Sequence, residues 1–350
     1  MTRHPRHATD LPRSAQRRNL LTGIGAAAML AACAAPRPTA PGARFDPGRP
    51  MGPTVWDAVS NRYAVDQLPF VSADGARRYR VWLATPRGAV PASGHPLICM
   101  TDGNAVADSL TSSDLEAAAR AGDLPVIVAI GPDSDTRFDV AARAFDYTPP
   151  VRQDGPTFED ETRGRLGGGA DLFLDLIARH IMPAVASRVP LDARRLTLWG
   201  HSYGGLLVLH TLFRHPTLFT RYAAADPSLW WHQGFILQEA EAALPLPAGQ
   251  DTTLLLMAGT APQPAHGPNP TAAARQARAL RAAVPPGGAR RLAERLAQRA
   301  HLAVLYREFP SLSHGPMLPA SLRPALELAA RGIAHPDNDP AKAGRVKVLD

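Results

Sequence analysis

Polar and apolar positions alternate along the chain in blocks whose periods differ. Residues 63–68 and 78–84 are alternating or apolar segments parted by the turn signal Ser72-Ala-Asp-Gly75, which predicts an antiparallel opening to a sheet. Residues 97–100 and 126–130 are continuous apolar runs, the pattern of strands covered on both faces in a parallel sheet. Residues 196–199, 222–225, 253–258 and 304–309 read as further strands. Between them, residues 112–120 read as a helix with a serine cap and with Asp114 and Glu116 in its first turn. Residues 171–185 read as an amphipathic helix with Leu172, Phe173, Leu176, Ile177 and Ile181 on one side, and residues 206–213 as a helix that opens on an apolar run. Residues 272–299 hold two arginine-rich helical stretches broken by Pro285-Pro-Gly-Gly288, read as solvated surface. Residues 131–169 show no clear period and read as a lid-like insert approached through Gly167-Gly-Gly169. Strands that alternate with helices predict an α/β fold: a mostly parallel central sheet with helices on both faces, forming one domain over residues 56–333 and leaving 334–350 as a tail.

Composition sharpens this at the N-terminus. At 350 residues, with 45% hydrophobic and 20% charged positions, the chain can bury one substantial core. Of the formal net charge of +7, four charges fall before residue 33, where Arg3, Arg6, Arg13, Arg17 and Arg18 face only Asp10. The basicity therefore gives no argument for a nucleic-acid partner. Arg17-Arg18-Asn19-Leu20-Leu21 is a twin-arginine pair, and the apolar run over residues 20–32 is too short to span a hydrocarbon layer of about 30 Å. It ends in Leu30-Ala31-Ala32-Cys33, which resembles a lipoprotein cleavage box. The expectation is a signal peptide over residues 1–32, lipidation at Cys33 and a Pro/Gly-rich tether over 33–55. The mature protein would then be a periplasmic lipoprotein held to a membrane, the outer membrane favoured by Ala34. Cys99, in an apolar strand with no partner left, reads as a buried small side chain.

The chemistry centres on Gly200-His201-Ser202-Tyr203-Gly204, which fits G-x-S-x-G between a strand and a helix. Such a turn lifts a serine above a sheet edge, so Ser202 is the candidate nucleophile, and the amide of Tyr203, at the helix start, can donate to an oxyanion. A second donor is expected in the loop after residues 97–100, from the amide of Gly103 or Asn104. A serine hydroxyl needs a base. Among 12 histidines, His314 alone follows the last strand beside a glycine, the chain position this topology gives its histidine. His201 is expected to pack beside the serine rather than catalyse. The acid is open: the segment after residues 253–258 offers Thr260 and Gln263 but no carboxylate, whereas Asp226 ends the strand at 222–225. Either Asp226 orients the imidazole or the site is a Ser-His dyad. Arg137 and Arg143 of the insert are substrate-binding candidates, with a solvated basic loop as the competing reading. No His/Cys spacing calls for a metal, and no cofactor is expected.

Taken together, Asp102-Gly103-Asn104, Phe145-Asp-Tyr-Thr-Pro149, Gly168-Gly-Ala170 leading into Phe173-Leu174, Gly200-His-Ser-Tyr-Gly-Gly205, Asp226-Pro-Ser-Leu229 and Ser313-His-Gly-Pro-Met317 resemble the Putative esterase family of α/β-hydrolases over roughly residues 56–330. That group holds esterase D and the periplasmic esterases of trilactone siderophores such as enterobactin and salmochelin. The resemblance implies an α/β-hydrolase fold, catalysis by Ser202 and His314, and insert arginines that meet catecholate groups. It also implies a site without a conventional acid, where Asp226 is a departure. The function it implies is serine ester hydrolysis in the cell envelope on a small ester, a ferric siderophore among the candidates. An acyltransferase on the same fold and a non-catalytic ligand-binding lipoprotein are the alternatives.

Overall fold

The computed structural model describes residues 48–57, 62–152, 154–262, 287–331 and 346–349, with residues 275 and 279. The expected leader over 1–32, Cys33 and the tether up to residue 47 lie outside the described residues, as does nearly all of the first arginine-rich stretch.

Nine strands make the central sheet: β1 (Tyr63–Val71), β2 (Arg78–Pro86), β3 (His95–Met100), β4 (Val126–Pro132), β7 (Leu191–His201), β8 (Arg221–Ala225), β9 (Thr252–Gly259), β10 (Leu302–Phe309) and β11 (Lys347–Leu349). A separate hairpin pairs β5 (Thr157–Asp160) with β6 (Arg165–Gly167). The spatial order is β1-β2-β4-β3-β7-β8-β9-β10-β11. β1, β2 and β4 pair antiparallel, and every pair from β4 onward is parallel.

The apolar runs are continuous because each strand feeds two cores. Leu97, Cys99, Val126, Val128, Leu254 and Leu256 pack on one face, with helices Ala170–Leu176, Tyr203–Arg214, Phe235–Glu241 and Gly288–Leu296. Ile98, Met100, Ile127, Ala129, Leu255 and Met257, the intervening positions, pack on the other face with helices Gly103–Ser109, Ser112–Ala121 and Met317–Ala330. Successive side chains of a strand point to opposite faces, so a three-layer α/β/α arrangement calls for apolar residues on both faces of its inner strands. Cys99 is fully buried, as expected, and burial pushes its thiol up to about 12.

Several elements differ from the sequence expectation. The helix at 112–121 is capped by Thr111, not by a serine. Its Oγ1 accepts from the Asp114 amide at 3.3 Å while the Asp114 carboxylate accepts the Thr111 amide at 3.1 Å, a reciprocal capping box. The amphipathic helix is interrupted by a π turn, Ile177–Ile181, and Leu172 is 60% exposed, off the buried side formed by Phe173, Leu176, Ile177 and Ile181. The insert is not irregular throughout, for it contains helix Val140–Asp146 and the β5–β6 hairpin. Order also begins before Trp56, since the Met51 amide donates to Asp135 O at 2.8 Å and the Gly52 amide to Asp108 Oδ1 at 2.7 Å. At the other end β11, from the expected tail, adds a parallel edge strand to β10.

Candidate active site

Strand β7 ends at His201, and the chain reverses through Ser202 into helix Tyr203–Arg214. Ser202 holds φ 61° and ψ −115°, a conformation an L-residue takes only under surrounding constraint. The glycines make room for that turn. A Cβ on Gly200 would lie 2.3 Å from the Gly204 carbonyl carbon, and one on Gly204 would lie 2.3 Å from Thr101 Oγ1. One on Gly205 would meet Pro227 Cα at 3.0 Å, which places the start of the helix directly against the β8 loop. The backbone locks the elbow to the same loop. The Ser202 amide donates to Ala225 O at 3.0 Å, and Ser202 O accepts the amides of Ser228 at 3.1 Å and Leu206 at 2.9 Å.

His314 sits in the loop between β10 and helix Met317–Ala330. Its Nε2 is 2.9 Å from Ser202 Oγ, and its Nδ1 is 2.5 Å from Asp226 Oδ2. Asp226, immediately after β8, takes φ 42° and is fixed at both ends. Its amide donates to Met257 O at 2.8 Å, and its Oδ1 accepts the Gly259 amide at 3.3 Å. A base with one nitrogen on a hydroxyl and the other on an anchored carboxylate is arranged to withdraw the hydroxyl proton and to bear the resulting positive charge. The Ser and His positions are therefore brought together as read from the sequence, and of the two open possibilities for the acid the structure places Asp226 on the imidazole.

His201 lies against this unit. Its ring stacks on His314 with centroids 4.7 Å apart, and its Nε2 donates to His314 O at 2.9 Å. Burial, the neighbouring His314 and Arg143 hold its pKa well below the usual histidine value, so it stays neutral.

The oxyanion candidates stand at helix starts. Tyr203 opens its helix, and Gly103 and Asn104 open Gly103–Ser109, where first-turn amides have no intrahelical acceptor. Gly103 is glycine for a reason other than room for a substrate: a Cβ there would strike Ala129 of β4 at 2.6 Å. The Asn104 side chain is committed elsewhere. It is buried, its amide reaches the carbonyls of Pro132, Ser134 and Thr136, and its Oδ1 accepts from Trp82 Nε1 at 3.3 Å. Only its backbone remains for other work.

The two insert arginines part company. Arg143 is bidentate on buried Asp102, with Nε–Oδ1 at 3.0 Å and Nη2–Oδ2 at 2.9 Å, and its guanidinium lies 5.5 Å from the Tyr203 ring. Asp102 adopts φ 53° just before Gly103, and its amide donates to Tyr147 Oη at 3.0 Å, so Arg143 holds the loop that carries the second amide pair. Arg137 is instead paired with Asp108 at 2.8 Å and donates to Ser109 Oγ at 2.8 Å. Four contacts escaped sequence reasoning. Buried Ser228 places its Oγ 3.2 Å from Ser202 Oγ, although Asp226-Pro-Ser-Leu229 was itself a legible motif. Glu159 of β5 accepts from the Tyr203 hydroxyl at 2.5 Å and also pairs with Arg165 of β6, while His232 Nε2 donates to Phe158 O at 2.8 Å. These bonds tie the hairpin over the elbow.

Residues 72–282 match the family described as Putative esterase. The apo-salmochelin esterase of Escherichia coli O6:H1 is 37% identical over 282 residues, 79% of this chain and 83% of that protein. The ferri-bacillibactin esterase BesA of Bacillus subtilis is 33% identical over 190 residues, 52% of this chain and 65% of that one. Among solved structures, the enterobactin and salmochelin hydrolase IroE aligns with a TM-score of 0.59 at 33% identity, covering 79% of this chain and 98% of its own. The siderophore hydrolase EstB of Aspergillus nidulans aligns with a TM-score of 0.63 at 26% identity, covering 78% and 98%.

Proposed function

The chain belongs to the Putative esterase family and is an ester hydrolase, and on that premise we propose that it cleaves siderophore lactone esters in the cell envelope through an acyl-enzyme on Ser202. The observation that carries the mechanism is the continuous contact from Ser202 Oγ through both nitrogens of His314 to Asp226, at 2.9 and 2.5 Å. His314 takes the Ser202 proton as Oγ attacks the ester carbonyl. The amides of Tyr203 and of Gly103 or Asn104 receive the oxyanion, and the imidazolium, steadied by Asp226, protonates the departing alcohol. Water activated by the same imidazole then releases the acid.

The named activities of the relatives support a siderophore ester as substrate, and the twin-arginine and Leu30-Ala31-Ala32-Cys33 sequences support export and lipid anchoring. Both insert arginines are already paired, Arg143 bidentate on Asp102 and Arg137 on Asp108 and Ser109, so an anionic substrate that meets either shares it with that carboxylate.

The test is an ester panel from p-nitrophenyl acetate to iron-free and ferric trilactones, run on the wild type, Ser202→Ala and His314→Ala. Each substitution is expected to lower kcat by at least about 10³-fold, and Ser202→Ala to abolish labelling by a fluorophosphonate. Undiminished turnover in His314→Ala refutes the mechanism. Turnover of simple esters with none of the trilactones refutes the substrate.

A further inference from the structure

A second group of ligating side chains lies about two helical turns beyond Ser202 on the serine helix. His210, on that helix, and His215, just past its end, both direct Nε2 at one carboxylate oxygen, Asp171 Oδ1, at 3.0 and 2.6 Å. Asp171 belongs to the first turn of helix Ala170–Leu176, where the insert ends. The three ligand atoms lie within 4.8 Å of one another. His210 is held from behind as well: its Nδ1 faces Glu239 of helix Phe235–Glu241, at 2.8 and 3.1 Å from the two carboxylate oxygens.

This wiring sets the chemistry. The two nitrogens of His210 face the carboxylates of Glu239 and Asp171, so the contact between Nε2 and Asp171 calls for positive charge. A cation belongs at that point. A proton needs only one imidazole. Here a second imidazole converges on the same oxygen, and the carboxylate-backed histidine is the outer-sphere arrangement that metal-binding imidazoles use to fix their tautomer. Tetrahedral zinc with bonds of about 2.0–2.1 Å separates its ligand atoms by about 3.3 Å, so the contacts of Asp171 with His210 and His215, at 3.0 and 2.6 Å, need to open by about 0.3 and 0.7 Å. The side chains of Asp171 and His215 are 46% and 36% exposed, which gives an ion a route in and a position for water, whereas that of His210 is 2% exposed.

We propose that Asp171, His210 and His215 form a binding site for one divalent transition-metal ion, zinc by donor preference, with Glu239 orienting His210 and water completing the coordination. The ion fastens the helix that leaves the insert to the end of the helix that begins at the nucleophile. It takes no part in ester cleavage, so the site stands or falls independently of the proposed hydrolysis.

The test uses the full chain without a histidine tag. Metal content is measured after dialysis, and thermal unfolding is followed after treatment with dipicolinate and again after adding zinc sulfate. About one zinc per chain is expected, with a rise in Tm of about 5–10 °C at a hundredfold excess of zinc over its Kd. Both should be lost in His215→Ala and in Asp171→Asn, each checked for native circular dichroism, and Glu239→Gln should weaken zinc binding about 10- to 100-fold. Cobalt(II) added to the metal-free chain should give a tetrahedral absorption that His215→Ala lacks. A wild type that retains no metal and shows no zinc-dependent shift overturns the proposal and leaves a proton at the Nε2–carboxylate contact. Equal binding in wild type, His215→Ala and Asp171→Asn overturns it too, by placing the ion elsewhere.

Discussion

The substitution Asp226→Asn separates a three-residue relay from a two-residue one, and the structure sets how large its effect should be. In the proposed mechanism Ser202 gives up its proton and His314 gains a unit charge whose Nδ1 stands 2.5 Å from Asp226 Oδ2, with side chains 19% and 21% exposed. With charge centres about 4 Å apart and an effective dielectric constant of about 20, the attraction is about 4 kcal/mol. Screening by the solvent that reaches both side chains leaves about 3 kcal/mol, or about 10²-fold in kcat at 1.36 kcal/mol per decade. Asp226→Ala should show that loss. Asp226→Asn should be worse, because the Gly259 amide donates to Oδ1 and will keep the asparagine carbonyl on its side, presenting the NH₂ group to His314 Nδ1. The ring proton then shifts to Nε2 and the base toward Ser202 is gone, for a loss of about 10³- to 10⁴-fold. The assay is kcat on p-nitrophenyl acetate, normalised to the fluorophosphonate-reactive fraction. If both variants stay within about threefold of wild type while His314→Ala is inactive, Asp226 is a bystander; if asparagine outperforms alanine, the tautomer argument is wrong.

Three other outcomes follow from the geometry. Gly200→Ala forces a methyl group to 2.3 Å from Gly204 and should cost about 3 kcal/mol, a fall in Tm of about 6–12 °C; an unchanged melt refutes the close packing of the elbow. Arg143→Ala strands the carboxylate of Asp102, whose side chain is 3% exposed, and should cost about 3–5 kcal/mol in urea unfolding, with much of the loss recovered in Asp102→Asn/Arg143→Met; equal midpoints for single and double variants refute the pairing argument. His201 is kept neutral in the fold, with its pKa below the ordinary 6.5, so the unfolded chain binds a proton that the native one does not. Wild-type stability should therefore fall as pH drops below about 6.5, by up to about 1.4 kcal/mol per pH unit from this residue, and the difference between wild type and His201→Gln should be constant near neutral pH and shift steadily against the wild type toward pH 5; parallel stability curves refute it.

The sheet was readable because its inner strands serve two cores at once, leaving few polar positions inside the runs at 97–100, 126–130, 222–225 and 254–258. The β5–β6 hairpin and β11 carry no such mark. They are short, and their residues are mostly exposed or half-buried, so nothing in their composition parts them from loop. The cap at Thr111 was legible in principle: Thr111-Ser-Ser-Asp114 offers three hydroxyls in a row, and the acidic residue three positions on selects the first. Ser202 and His314 followed from chain order alone. Asp226 did not, since a carboxylate after β8 reaches the imidazole only if β8 and β9 are in register, with Ala225 opposite Met257, and that alignment belongs to the folded sheet. The partners of the insert arginines were equally out of reach, because Asp102 and Asp108 lie 41 and 29 positions away in sequence.

Glu159 touches both its hairpin neighbour Arg165 and the phenol of Tyr203, whose backbone amide faces the reacting carbonyl in the proposed mechanism. The hairpin over the elbow and the donor that steadies the developing charge in that mechanism thus share a single support. A drift in preference toward bulkier molecules, if it came through this hairpin, would alter turnover in the same stroke. Adjusting one property alone is open only to changes that leave that shared carboxylate in place.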